Sequence, residues 1–118
     1  HDRGRLALEE AIPNVETVYQ ENVPENAADA ERVIRQFAED GADVVFTTSF
    51  GYMDPTINVA GDYPDTVFIH ISGFKTADNV GTGFGKIEEP RYVSGLIAGQ
   101  MTESNQVGYV AAFPIPEV

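Results

Sequence analysis

Apolar runs of strand length alternate along this chain with longer stretches in which apolar positions recur every three or four residues. Residues 2–12 predict a helix with Gly4, Leu8, Ala11 and Ile12 on one stripe, stopped by Pro13. Residues 15–23 predict a strand. The clearest helix follows: Asn26 suits its N-cap, with Asp29 three positions on in a capping-box-like arrangement. Its buried stripe is Ala30, Val33, Ile34, Phe37 and Ala38, and Gly41 suits the left-handed position after its end. Residues 44–48 are continuously apolar or β-branched, as expected of a strand covered on both faces. Asp54 and Pro55 then fit the N-cap and first position of a third helix, with Val59, Ala60 and Tyr63 as its apolar positions. Residues 66–72 predict another buried strand, and residues 79–87 a shorter, glycine-rich one. Pro90 starts a fourth helix that should turn Val93, Leu96, Ile97 and Met101 to the core, while Gly95 and Gly99 permit close approach of a neighbour. A last strand is expected over residues 106–113.

Repeated strand–helix–strand units with short connections predict an α/β fold, a Rossmann-like parallel sheet with right-handed crossovers and helices on both faces. Loops that follow strands then gather at the carboxyl edge, where open α/β sheets bind ligands. That edge collects Ser49, Phe50, Gly51 and Tyr52 from one loop, residues 73–75 with Lys75 from the next, and residues 114–116 at the end.

Composition narrows the picture by exclusion. The 118 residues make one domain's worth of chain, and 42% hydrophobic with 22% charged residues is the make-up of a soluble globular protein. No apolar run approaches the roughly 20 residues that span a bilayer. Nineteen acids against seven bases give a formal charge of -12, and Lys75 and Lys86 are the only lysines. Such a surface repels nucleic acid and anionic membranes, which excludes both as partners; it reads as a solvated acidic surface, compatible with a salt-adapted source. With no cysteine there is no disulfide, thiolate metal site or cysteine nucleophile. The opening "HDRGRLALEE" reads as part of a helix, which points to a fragment.

Motifs for chemistry fail one by one. In "GTGFGK" (81–86) the glycines alternate within a strand, Ile87 follows the lysine, and neither the phosphate-loop nor the dinucleotide spacing is met. His70 lies inside an apolar strand without metal-ligand spacing, so a satisfied core histidine is favoured over a catalytic one. Ser49 stands outside a nucleophile elbow, and Asp43 is at the wrong end of its strand for a phosphoacceptor. A small α/β enzyme would need a titratable pair converging at the carboxyl edge, and none is found. No cofactor is implied. What remains is aromatic: Phe50, Tyr52 and Phe113 fall at strand ends whose carboxyl edges should be neighbours. Each alone could equally cap the core. Together they offer flat faces for a planar small-molecule ligand, with Gly51 keeping the loop backbone accessible and Pro114 adjoining Phe113. Asp54 is better read as a helix cap than as a ligand group.

These residues carry a family resemblance. "HDRGRLALEEAIPNVET", "NAADAERVIRQFAEDGADVVFTTSFGYMDP", "GFKTADNVGTGFGKIEEPRYVSGLIAGQMT" and "QVGYVAAFPIPEV" resemble consecutive segments of the basic membrane protein family, the PnrA-like substrate-binding proteins of ABC transporters. The likeness covers essentially the whole chain. It implies a type I periplasmic-binding-protein fold, two lobes closing on a ligand, in proteins that are generally extracytoplasmic lipoproteins passing nucleosides or purine bases to a membrane permease. They are not enzymes. Carried onto this sequence, it implies that residues 49–52 line the amino-terminal half of a cleft and that Phe113 and Pro114 begin the second lobe. Arg91 and Tyr92, with Glu89, would mark a helix start near the cleft. On this reading residues 1–105 are an amino-terminal lobe lacking its first strand, and residues 106–118 begin the second lobe. The alternative on the same fold is a ligand-sensing regulatory domain. In the 2-1-3-4-5 strand order of such a lobe the absent strand is central. Its slot is expected to be filled, either by residues 106–113 folding back or by strand exchange with another chain, because open ladders are costly.

Overall fold

The computed structural model describes residues 1–111, as two compact units, His1–Phe84 and a second from Gly85 onward. The first unit holds helices α1 (Asp2–Ala11), α2 (Ala27–Glu39) and α3 (Met53–Ala60) and strands β1 (Val44–Thr48), β2 (Val67–Ile71) and β3 (Val80–Gly83). The strands pair in parallel in the order β1-β2-β3, with Val45 opposite Phe68 and Phe68 opposite Val80. The α/β class and the parallel sheet match the expectation.

α2 forms as its pattern dictates. Asn26 accepts the Asp29 amide at 3.0 Å and its Nδ2 donates to the Asp29 carboxylate at 2.8 Å, closing the cap. Gly41 takes φ +89° beyond the other end. Ala30, Ile34 and Ala38 of α2 and Val59 and Ala60 of α3 pack onto Val45, Phe68 and Val80, which all project from one face of the sheet. Asn79 closes the bottom of this layer, donating to the carbonyls of Ala60, Tyr63 and Thr66 at 2.9 to 3.0 Å.

Five expectations need correction. β1 is not buried on both faces: Val45 and Thr47 are buried, but Val44, Phe46 and Thr48 are exposed, because α2 and α3 cover a single face. Residues 15–23 form no strand, and neither do residues 106–111. The first of these segments is held by side chains of α1 instead of a ladder: Arg5 donates to the Thr17 hydroxyl at 2.8 Å and stacks its guanidinium over Tyr19, while Glu9 accepts the Thr17 amide at 3.2 Å. Residues 112 and 113, the end of the expected last strand, lie outside the described region. In the second unit, helix α4 (Glu88–Met101) buries none of its residues; Val93, Leu96, Ile97 and Met101 are all exposed. Finally, Asp54 does not cap α3. A 3-10 turn, Phe50–Tyr52, winds the chain ahead of it, so Tyr52 takes the cap position and Asp54 falls in the first turn.

Candidate functional site

The loop at the carboxyl end of β1 is built by that 3-10 turn, in which the Tyr52 amide donates to the Ser49 carbonyl at 3.1 Å. Its side chains are tied to the segment that leads into α2. The Ser49 hydroxyl donates to Glu25, and the Tyr52 hydroxyl donates to the Val23 carbonyl at 2.5 Å. The Tyr52 ring is half-buried against the core cluster, and burial pushes its phenol above the usual value. Gly51 has a specific reason to be glycine: a methyl group there would lie 2.3 Å from Glu25 Oε2 and 2.9 Å from Glu25 Cβ, so the glutamate crosses directly over it. Phe50, also half-buried, stands at the head of the turn. The loop after β2 reaches the same edge. Lys75 Nζ pairs with Asp54 at 2.6 Å, both side chains exposed, and the Phe74 amide donates to Met53 Sδ at 3.5 Å.

Beneath the 49–52 loop lies a buried polar row. His70 Nδ1 is 2.8 Å from Thr47 Oγ1, which is 2.9 Å from Thr56 Oγ1, and the Thr56 hydroxyl donates to the Tyr52 carbonyl at 2.7 Å. Thr47, Thr56 and His70 are all buried. Burial holds the His70 imidazole below its ordinary pKa. One half of the sequence reading holds, since this histidine is a core residue. The other half does not: its Nε2 has no hydrogen-bond partner.

Of the residues singled out from sequence, Ser49, Phe50, Gly51, Tyr52, Asp54 and Lys75 share the carboxyl edge of the first unit. Arg91 and Tyr92 belong to α4 of the second unit, where the Arg91 guanidinium lies 5.9 Å from the Tyr109 ring centroid and Tyr92 is exposed. Phe113 and Pro114 fall outside the described residues. Sequence reasoning does not reach Glu25, which accepts from Ser49 and crosses over Gly51, nor the Thr47–His70–Thr56 row. A signal for the latter exists: Thr47 and His70 each stand two positions after a core residue, Val45 and Phe68, and so share their inward face. A cavity of about 230 Å³ opens between α2 and residues 19–24, lined by Tyr19, Asn22, Val23, Arg32, Gln36 and Phe37 among others; none of the sequence-predicted residues lines it. Among the described residues no cluster of side chains could hold a metal ion, and no helix is long and apolar enough to cross a membrane.

Comparison with known proteins identifies the family. The model of the family described as ABC transporter substrate-binding protein PnrA-like matches residues 1–118. The chain belongs to this family. A Haloferax volcanii protein provisionally named ABC transporter glucose-binding protein TsgA13 is 52% identical over the whole chain, which covers 30% of that protein. A purine-binding protein of Brucella abortus is 49% identical, again over the whole chain and 34% of the relative. The transcriptional activator protein med of Bacillus subtilis is 30% identical over 100 residues, 85% of this chain and 31% of its own length. The chain thus spans about a third of each relative. The PnrA-like family is one of binding proteins.

Proposed function

We propose that the chain is the amino-terminal lobe of an extracytoplasmic, lipid-anchored solute-binding protein that delivers a purine nucleoside or nucleobase to an ABC permease. Capture works by closure of two lobes and aromatic stacking, without chemistry. The observation that carries the reading is the half-buried Phe50, presented at the carboxyl edge by a 3-10 turn whose neighbours Ser49 and Tyr52 are pinned to residues 23–25. An anchored turn presents a ring at low entropic cost, and preorganisation of this kind favours affinity. The likeness to a purine-binding relative supports a purine; the glucose-binding name of another relative makes a sugar the competing ligand. In this reading the Tyr52 hydroxyl, already donating to Val23, supports the wall, and its ring face remains as the contact surface. Ser49, Gly51, Phe113 and Pro114 complete the proposed lining, with Asp54, Lys75, Arg91 and Tyr92 in outlying positions.

Calorimetric titration of the full-length protein with adenosine and with glucose tests the assignment. Adenosine should bind, and Phe50→Ala should weaken it by roughly 1–3 kcal/mol, the range of base–aromatic stacking. Unchanged affinity would return Phe50 to a core-capping role, and binding of glucose alone would replace the ligand class. The isolated chain should bind adenosine far more weakly than the full-length protein, since half a cleft supplies half the contacts.

A second reading, a ligand-sensing regulatory domain on the same lobe, is favoured by the 30% identity to a transcriptional activator. Ligand-dependent binding of the full-length protein to promoter DNA would support that reading over transport.

A further inference from the structure

Hydrogen-bond direction in the buried row is fixed by counting protons. A carbonyl can only accept, so the Thr56 hydroxyl spends its single proton on Tyr52 O at 2.7 Å. Across the 2.9 Å contact Thr56 must then accept, and Thr47 donates. With its proton spent, Thr47 Oγ1 must accept at 2.8 Å from His70 Nδ1–H. The imidazole is therefore held as the Nδ1–H tautomer, and Nε2 is a bare lone pair.

That lone pair is 1% exposed along with the rest of the residue, has no partner, and lies directly under the loop after β2: a methyl group on Gly73 would come within 2.6 Å of it. A proton arriving at Nε2 would create a buried cationic donor with no acceptor. No charged group offers relief. β1 and β3 carry none, β2 has only His70, and the charged residues of α3 and of residues 72–75 are Asp54 and Lys75, both exposed and paired with each other. The cover over Nε2 is fastened at its base, where the Ser72 amide donates to the Gly83 carbonyl at 3.0 Å, and more weakly beyond it. Ser72 sits at φ +80°, a left-handed conformation disfavoured for serine, and the fastenings that follow are a 3.5 Å amide-to-sulfur contact and the exposed ion pair.

We propose that His70 is a positioning residue for the 49–52 loop: through Nδ1 it feeds a one-way relay ending on the Tyr52 carbonyl, and proton uptake at its bare Nε2 lifts residues 72–75 and slackens that relay. The effect on affinity rests on the 49–52 loop being the ligand wall; the relay itself does not.

The test uses ¹⁵N-labelled full-length protein. Two-bond ¹H–¹⁵N ring correlations, assigned with His70→Asn, should show His70 protonated at Nδ1 alone near neutral pH; an Nε2–H ring overturns the relay. Hydrogen-exchange protection of the amides of residues 52–54, 56 and 72–75, corrected for intrinsic rates, should fall on acidification in the wild type. It should stay flat in His70→Asn, whose amide can still donate at the Nδ1 place but cannot titrate. An equal fall in both overturns the proposal. The Kd for adenosine should rise on acidification below about pH 7 in the wild type, toward a limit of about tenfold once the pH lies below both values, the linkage of roughly one unit of pKa difference between free and bound protein. It should not change with pH in His70→Asn, and His70→Leu, which has no donor, should bind weakly at both. If the wild type ignores adenosine at every pH, the ligand reading fails, while tautomer and exchange still decide the relay.

Discussion

The two faces of the small sheet are made of similar residues and have opposite fates. On one, Val45, Phe68 and Val80 lie under α2 and α3, with Phe68 fully buried; on the other, Val44, Phe46 and Val67 stand open to solvent, Phe46 59% exposed. Composition does not distinguish the faces. What differs is whether a helix with a matching apolar stripe is delivered to each, and α2, capped at Asn26 and ended at Gly41, is delivered to one. The same lesson separates α3 from α4. Five of the eight residues of α3 are buried, whereas α4 has fourteen residues and buries none. An apolar stripe is a capacity to bury, realised only against a partner.

The sharpest way to break this comparison is truncation on each face. Phe68→Ala should cost about 3–5 kcal/mol in urea denaturation, as buried phenylalanines do. Phe46→Ala on the open face should fall within about 0.5 kcal/mol. Equal losses would mean that the outer face is covered in solution.

The next effect belongs to pH, because the covered face contains a titrating group and the open one has none. Burial lowers the pKa of His70 in the folded protein, so unfolding takes up a proton at pH values between the folded and unfolded values. Its contribution is fully present above the unfolded value, near 6.5, and is lost as pH falls toward the folded value. Urea midpoints of the wild type should drop through that window more steeply than those of His70→Asn; parallel curves would assign the acid sensitivity to other groups.

The smallest effect is at the rim. The Lys75–Asp54 pair is short but exposed, so Lys75→Ala should change stability by no more than about 1 kcal/mol, less in high salt. A larger loss would show that the 72–75 loop bears more of the fold's stability than its fastenings indicate.

How far the residues foretell this structure depends on how local the determining physics is. α2 is legible down to its cap, because Asn26, Asp29 and the i, i+3, i+4 stripe all act within a few residues of one another. β1, β2 and β3 are legible as strands, but their burial is not, since it depends on which faces the helices reach. Residues 15–23 have strand-forming side chains, yet a strand requires a ladder neighbour, and here Arg5 and Glu9 of α1 provide the hydrogen bonds instead. At the site, the aromatic turn could be found from its position after a strand. The bonds that hold it could not, because Glu25 is 24 residues from Ser49, Val23 is 29 from Tyr52, and nothing in the local pattern links them.

The contact between Gly73 and the imidazole ties together two positions that are neighbours in space. Any side chain at 73 would drive its first carbon to 2.1 Å from the ring of His70, closer than atoms can approach, so such a change can be accepted only with a smaller residue at 70. Through evolutionary time the two sites must drift as a pair. A relative that has lost the glycine should have lost the histidine as well.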